Sequence, residues 1–107
     1  MTSVRVLHDE QGVCGLTVSG HAGYAKSGSD IVCAAASVLI TTCANALESV
    51  AHITPLLDVT EQPARISVSL PPSLPKQQEH DARVILLTAL QGFRDIAAQY
   101  PTYLQII

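Results

Sequence analysis

One long predicted helix places the strongest constraint on this chain, because the segment from Asp30 to His52 contains neither proline nor glycine. Apolar side chains recur along it at helical spacing, which is typical of a helix that buries one face. The predicted buried stripe consists of Ile31, Ala35, Leu39, Cys43, Leu47 and Val50. Asp30 is a favourable N-cap residue, so we expect the helix to begin there.

The residues before this helix have the pattern of a β-hairpin. Val4 and Val6 alternate with polar neighbours, as do Leu16 and Val18. Residues 9–12 between the two runs are turn formers. The chain therefore opens with two antiparallel strands.

The second half of the chain predicts two more strands, a helix and a short last strand. The expected elements are strands at 55–60 and 65–70, a helix at 76–99 and a strand at 102–107. Pro71 and Pro72 end strand pairing because proline has no N–H to donate, and Pro101 ends the helix. The expected apolar stripe of this helix is Ala82, Ile85 or Leu86, Ala89, Phe93, and Ile96 or Ala97.

The order β-β-α-β-β-α-β predicts an α+β, two-layer fold in which both helices pack on one mixed or mainly antiparallel sheet. With 107 residues, the chain is expected to form a single domain over 1–107. The net charge of −3 and only six Lys plus Arg argue against direct nucleic-acid binding.

The N-terminal residues lack the basic and apolar runs of a targeting segment, and no uninterrupted apolar run reaches the roughly 18 residues of a membrane span. We therefore expect a cytoplasmic protein that does not associate with membranes. The three cysteines, Cys14, Cys33 and Cys43, have no CxxC spacing and fit a reducing compartment better than a disulfide framework.

A histidine and a cysteine carry the chemistry that the sequence suggests. His21 lies just past the second strand, and Cys33 falls in the first turn of the predicted helix, where partial positive charge favours a thiolate. Gly20, Gly23 and Gly28 could let the chain fold the imidazole back onto the sulfur. This pattern indicates a cysteine hydrolase, although an inert cysteine and a surface histidine remain the alternatives.

Two further residues could support that site. Asp30 could cap the helix by accepting the amide of residue 33, or it could orient His21 as a third catalytic group, and capping is the favoured single role. The hydroxyl of Ser37, one turn after Cys33, could reach the sulfur or a bound carbonyl, and the slightly favoured alternative is a bond back to the carbonyl of residue 33.

The loop between His21 and the helix predicts neither a nucleotide site nor a metal site. Gly23 and Gly28 have phosphate-loop spacing, but Ser29 and Asp30 stand where lysine and serine or threonine are needed. A zinc site built from His21 and the three cysteines lacks the usual ligand spacing. We therefore expect no metal and no cofactor.

The string Gly20-His21-Ala22-Gly23-Tyr24-Ala25, followed by Gly28-x-Asp30-Ile31-Val32-Cys33-Ala34-Ala35-x-Ser37-x-Leu39, resembles the signature of the ribosomal-processing cysteine protease family, known as Prp. The ending Tyr100-Pro101-x-Tyr103 and the order of elements extend the resemblance loosely over the whole chain. By position, the resemblance implies Cys33 as nucleophile and His21 as base, with Asp30 and Ser37 in support. The implied substrate loop, mobile until peptide arrives, includes Gly20, Ala22, Gly23, Tyr24, Gly28 and Ser29.

The resemblance further implies a small homodimeric endopeptidase. Its substrate would be large-subunit ribosomal protein twenty-seven, cut after an N-terminal apolar segment that ends in paired aromatic residues. The alternatives are a non-catalytic ribosome-assembly or peptide-binding module of the same fold, and a thiol enzyme that reacts with alkylating agents but cuts no peptide.

Overall fold

A computed structural model gives the fold and describes residues 1–26 and 28–107. The element order is β-β-α-β-β-α-β, which confirms the predicted α+β class. The strands are β1 (Thr2–Asp9), β2 (Gly12–Ser19), β3 (Leu56–Glu61), β4 (Ala64–Ser69) and β5 (Leu104–Ile106), and the helices are α1 (Ile31–Ser49) and α2 (Lys76–Gln99).

The five strands form one mixed sheet in the order β3-β4-β2-β1-β5. β5 runs parallel to β1, and the other neighbouring strands are antiparallel. The register pairs Val4 with Val18 and Leu16 with Val68, and paired side chains share one face of the sheet. Val4, Leu16 and Val68 are fully buried, so this face forms the floor of the core under the helices.

The buried face of α1 differs from the predicted stripe. Its buried residues are Val32, Ala36, Ile40, Cys43 and Leu47, whereas the predicted members Ile31 and Val50 are 53% and 65% exposed. The prediction was wrong at both helix ends because α1 is apolar around much of its circumference, so periodicity alone selects more than one stripe. The helix is therefore rotated about its axis relative to the predicted orientation. In this orientation Cys33 lies on the flank of the helix, half buried beside the core.

The helix α2 spans 76–99 as predicted, and its buried residues are Ala82, Leu86, Ala89, Leu90 and Phe93. It approaches α1 closely at Gly92, where an added Cβ would lie 2.8 Å from a Leu39 methyl carbon. α2 ends at Gln99, and the turn that follows leads into β5 beside the start of β1.

α1 is long and apolar enough to cross a membrane by length and composition alone, and core helices of soluble proteins meet the same criterion. Polar side chains such as Ser37, Thr42 and Asn45 interrupt its apolar run. In this fold one face of α1 packs into the core against the sheet and α2.

Candidate active site

The end of β2 is fixed against its neighbours, and this fixes where His21 lies. The Gly20 amide donates to the Ala64 carbonyl at 2.9 Å. Gly20 has φ +82°, and an added Cβ would lie 2.7 Å from the Met1 carbonyl oxygen. Only glycine fits this conformation and this space. His21 follows at once, exposed and facing the start of α1 across a cavity.

Cys33 is the third residue of α1 and lies in its first turn, as predicted. Its Sγ accepts a hydrogen bond from the Ala22 amide at 3.2 Å. The helix N-terminus and this amide both place partial positive charge beside the sulfur. Two partial positive charges therefore adjoin the sulfur, and the Asp30 carboxylate that caps the same turn opposes them.

His21 and Cys33 line the same open cavity of about 500 Å³. Its other lining residues are Gly23, Ala25, Gly28, Asp30, Ala34 and Ser37. A second cleft of about 120 Å³ shares His21 and Cys33 and runs over the sheet between α1 and β4. Its apolar lining consists of Val18, Ala36, Ile40, Ala64 and Ile66. The sulfur thus lies where a cavity lined by the loop meets an apolar cleft.

Asp30 acts as the N-cap of α1 and also anchors the preceding loop. One carboxylate oxygen accepts the Cys33 amide at 2.9 Å, and the other accepts the amides of Tyr24 and Ala25 at 3.0 and 3.4 Å. These bonds, the one from Cys33 foremost, hold the pKa of Asp30 below its ordinary value of 3.8 despite partial burial. Among the described residues, this carboxylate accepts from these backbone amides and also interacts with the Cys33 side chain, and the His21 imidazole is not one of its partners.

Ser37 lies one turn after Cys33, is exposed, and lines both cavities. Within the part of the chain that the structure describes, its hydroxyl makes no hydrogen bond, so the bond back to the carbonyl of residue 33 is not formed. The hydroxyl is available to a molecule that enters the cavity.

The residues predicted to form the substrate loop differ in burial and in whether they line the cavity. The side chain of Ala22 is buried in the core, while Gly23 and Gly28 line the larger cavity with φ +73° and +88°. Ser29 is exposed, and its amide donates to the Lys26 carbonyl at 2.9 Å. Ser27, which the sequence places in the same loop, lies outside the described residues.

Two tyrosines near the end of the chain approach this loop, and sequence reasoning assigned them no role. The Tyr24 ring packs edge-on against Tyr100 and Tyr103, with centroids 5.6 and 5.2 Å away. The Tyr100-Pro101-x-Tyr103 motif was the only available signal, because contacts between residues so far apart along the chain leave no local pattern.

A buried hydroxyl next to the site was also missed. Thr2 is 2% exposed and lines the apolar cleft together with His21 and Cys33. Its Oγ1 has no hydrogen-bond partner among the described residues. A threonine in a strand pattern predicts only a strand, so the sequence carried no signal for this position.

The other two cysteines have settings that disfavour reaction. Burial raises the pKa of Cys43 to about 11, and burial followed by the charge of Asp9 raises the pKa of Cys14. All three cysteines are free. Within residues 1–26 and 28–107, no group of three or more His, Cys, Asp or Glu side chains is placed to hold a metal ion.

Comparison with known proteins gives the family. The sequence model of the family described as cysteine protease Prp matches residues 1–105. The ribosomal processing cysteine protease Prp of Bacillus subtilis (strain 168) is 27% identical over 104 residues, which cover 97% of this chain and 92% of the relative.

Solved structures give the same fold. The essential ribosomal processing protease Prp from S. aureus, in complex with a covalently linked product peptide, superposes with a TM-score of 0.86 at 23% identity, covering 99% of this chain and 97% of the other. A Streptococcus mutans protein superposes with a TM-score of 0.84 at 25% identity, covering 99% and 91%. Since the family model spans nearly the whole chain, this protein belongs to the Prp family of cysteine proteases.

Proposed function

We propose that this protein is a cysteine endopeptidase that removes the N-terminal extension of large-subunit ribosomal protein twenty-seven and so supports ribosome maturation. The observation that carries the proposal is the placement of Cys33 in the first turn of α1, with the Ala22 amide at its sulfur and His21 on the same cavity. Family membership supplies the reaction class.

In the proposed mechanism, His21 accepts the proton of the Cys33 thiol as the sulfur attacks the carbonyl carbon of the scissile bond. Backbone amides at the start of α1 are the candidate donors to the oxyanion, and the Ser37 hydroxyl is a further donor at the cavity wall. The C–N bond then breaks as the imidazolium of His21 gives its proton to the leaving amine. Water, deprotonated by His21, hydrolyses the thioester and restores the thiol.

The apolar lining of the cleft between α1 and β4 supports the proposal that the substrate has an apolar segment. Val18 and Ile66 lie on the sheet side and Ile40 on the helix side, and all three reach the same cleft as Cys33. An apolar side chain that enters would lose contact with water, which favours binding by about 25 cal/mol per Å² buried. Among the described residues that line the cleft, Arg65 is the one permanent charge, and it already pairs with Asp58 at 2.7 Å.

The finer identity of the substrate rests on the family resemblance. The B. subtilis relative is named a ribosomal processing protease, and the S. aureus structures hold a product peptide and a substrate peptide. By analogy, we propose a ribosomal protein whose N-terminal extension is cut after an apolar segment ending in paired aromatic residues.

The test is cleavage of a synthetic peptide that contains an apolar segment ending in Phe-Phe, followed by mass spectrometry. The wild-type protein is expected to cut the peptide and Cys33→Ala to lose the activity. The matched control Cys14→Ala removes another thiol and is expected to retain it. No cleavage by a folded wild-type protein would favour the binding-module alternative, and retained cleavage by Cys33→Ala would exclude the nucleophile.

We further propose that the protein is a cytoplasmic homodimer that acts without a cofactor. The dimer rests on the family resemblance and the short chain, and exposed apolar side chains on both helices, such as Val38 and Val84, would suit a partner. Light scattering at assay concentration tests it, since a monomer there would contradict the proposal.

A further inference from the structure

The loop after His21 forms one wall of the larger cavity, through Gly23 and Ala25. Its first end is held firmly, because the Ala22 side chain is 3% exposed and the Ala22 amide donates to Cys33. The next residues have weaker anchors. Residues 23–25 are exposed, and the amides of Tyr24 and Ala25 are held by their hydrogen bonds to Asp30.

The Tyr24 ring supplies a further anchor. It meets Tyr100 at an interplanar angle of 89° and Tyr103 at 78°, with centroids within 6 Å in both pairs. Edge-to-face packing is favourable because the positive ring edge meets the negative face of its neighbour. Tyr24 is 41% exposed, so burial in the core does not fix its ring. The contacts with Tyr100 and Tyr103 hold the ring instead.

Tyr100 and Tyr103 are both tied to secondary structure by backbone hydrogen bonds. Tyr100 caps the C-terminus of α2 and donates its amide to the Ile96 carbonyl at 2.8 Å. The Tyr103 carbonyl accepts the Thr2 amide at 2.9 Å, which joins the turn to β1. These backbone hydrogen bonds tie both tyrosines to α2 and the sheet, whereas the described hydrogen bonds of residues 24 and 25 are the two to Asp30.

We infer that Tyr100 and Tyr103 are positioning residues for the peptidase reaction. Their rings hold Tyr24, and Tyr24 holds the cavity wall of Gly23 and Ala25 against Asp30. The consequence for catalysis rests on the proposed function, whereas the restraint on the loop does not. Neither tyrosine lines the cavity, so both act through Tyr24.

The direct test is amide hydrogen exchange measured by NMR, without substrate. Tyr24→Ala removes the ring from the loop side and leaves the fixed turn intact, so it is expected to fold. Exchange at the amides of residues 24 and 25 is expected to rise about fivefold, which corresponds to about 1 kcal/mol of aromatic packing. Exchange within α1 is expected to stay unchanged.

Three further variants separate positioning from general stability. Tyr103→Ala is expected to raise exchange at the same two amides, whereas the matched control Tyr103→Phe keeps the ring and is expected to exchange at the wild-type rate. In the double variant of Tyr24 and Tyr103 to Ala, the second change is expected to add little, because both remove the same contact. Unchanged loop exchange in both single variants would overturn the inference, as would additive effects.

Kinetics on the Phe-Phe peptide give the catalytic readout. A displaced cavity wall weakens substrate binding, so Tyr24→Ala and Tyr103→Ala are expected to raise KM about fivefold and to change kcat less than about twofold. An unchanged KM in variants whose loop exchange has risen would overturn the positioning role. If the wild-type protein cuts no peptide, the proposed function fails, and the exchange result still decides whether the tyrosines hold the loop.

Discussion

The amide of Ala22 donates a hydrogen bond to Sγ of Cys33 at 3.2 Å, so the exit of β2 and the first turn of α1 meet at the sulfur. The arrangement depends on a tight glycine turn at the end of the strand and on a carboxylate cap at the start of the helix. Each of these features gives a prediction that one substitution can test.

Alanine substitutions at Gly20 and Gly23 separate the energetic cost of backbone strain from that of steric clash. Both have positive φ, but an added Cβ meets the Met1 carbonyl only at Gly20 and meets nothing within 4 Å at Gly23. Gly23→Ala is expected to cost about 1 kcal/mol of unfolding free energy and Gly20→Ala about 2–3 kcal/mol. Urea unfolding measures both, and equal losses would contradict the close packing of Gly20.

Asp30→Asn distinguishes capping from loop anchoring. Asparagine is also a good N-cap, so its Oδ1 can keep the bond from the Cys33 amide. Its amide nitrogen cannot accept from Tyr24, so the loop loses an anchor. We expect unchanged helix content by circular dichroism and a KM raised about two- to fivefold. A wild-type KM would show that the bond to Tyr24 does not hold the cavity wall.

The pH dependence of stability should carry the signature of Asp30. Its pKa is lowered in the folded state, chiefly by the Cys33 amide, so ionised Asp30 stabilises the fold. This contribution is fully present above the ordinary value of 3.8 and is lost as the pH falls through the lower folded-state pKa. The stability difference between wild type and Asp30→Asn should therefore be constant from pH 5 to 7 and shrink in acid, as measured by urea unfolding. A stability difference that grows in acid would contradict the account, because it would mean that ionised Asp30 destabilises the fold.

The three cysteines should differ in reactivity towards iodoacetamide. Burial raises the pKa of Cys43 to about 11, and burial and then Asp9 raise that of Cys14. Cys33 is half buried and borders an open cavity. Brief alkylation at pH 7 followed by peptide mass mapping is expected to label Cys33 first. Earlier labelling of Cys14 would contradict this order.

Thr2 offers a test of a buried polar group. Its Oγ1 is buried without a hydrogen-bond partner among the described residues. Thr2→Val keeps the side-chain shape and removes the hydroxyl, so it is expected to stabilise the protein by about 1 kcal/mol. Thermal unfolding checks this, and a loss of stability would mean that the hydroxyl has a bonding partner in solution.

Much of the fold could be predicted because its signals are local. Pro71, Pro72 and Pro101 mark the ends of elements, and the order of strands and helices follows from the patterns between them. The rotation of α1 could not be predicted, because apolar residues surround it and only packing selects the buried face. The element order is confirmed, and the predicted α1 stripe was wrong.

The candidate site likewise has a part that local sequence patterns predict and a part that they do not. His21, Asp30 and Cys33 are close in sequence, so their place on one cavity was foreseeable from a strand, a glycine-rich loop and a helix start. Tyr100 and Thr2 approach the site from the two ends of the chain through the pairing of β5 with β1. Contacts of that kind depend on the sheet order, which no local pattern specifies.

The central claim is that the Cys33 sulfur attacks the peptide with His21 as its base. Rapid acid quenching of the reaction with the Phe-Phe peptide, followed by mass mapping, tests it directly. The account predicts a thioester between Cys33 and the N-terminal fragment in the wild type, and no adduct and no cleavage in a folded His21→Ala variant. An adduct on another residue, or wild-type turnover by His21→Ala, would contradict it.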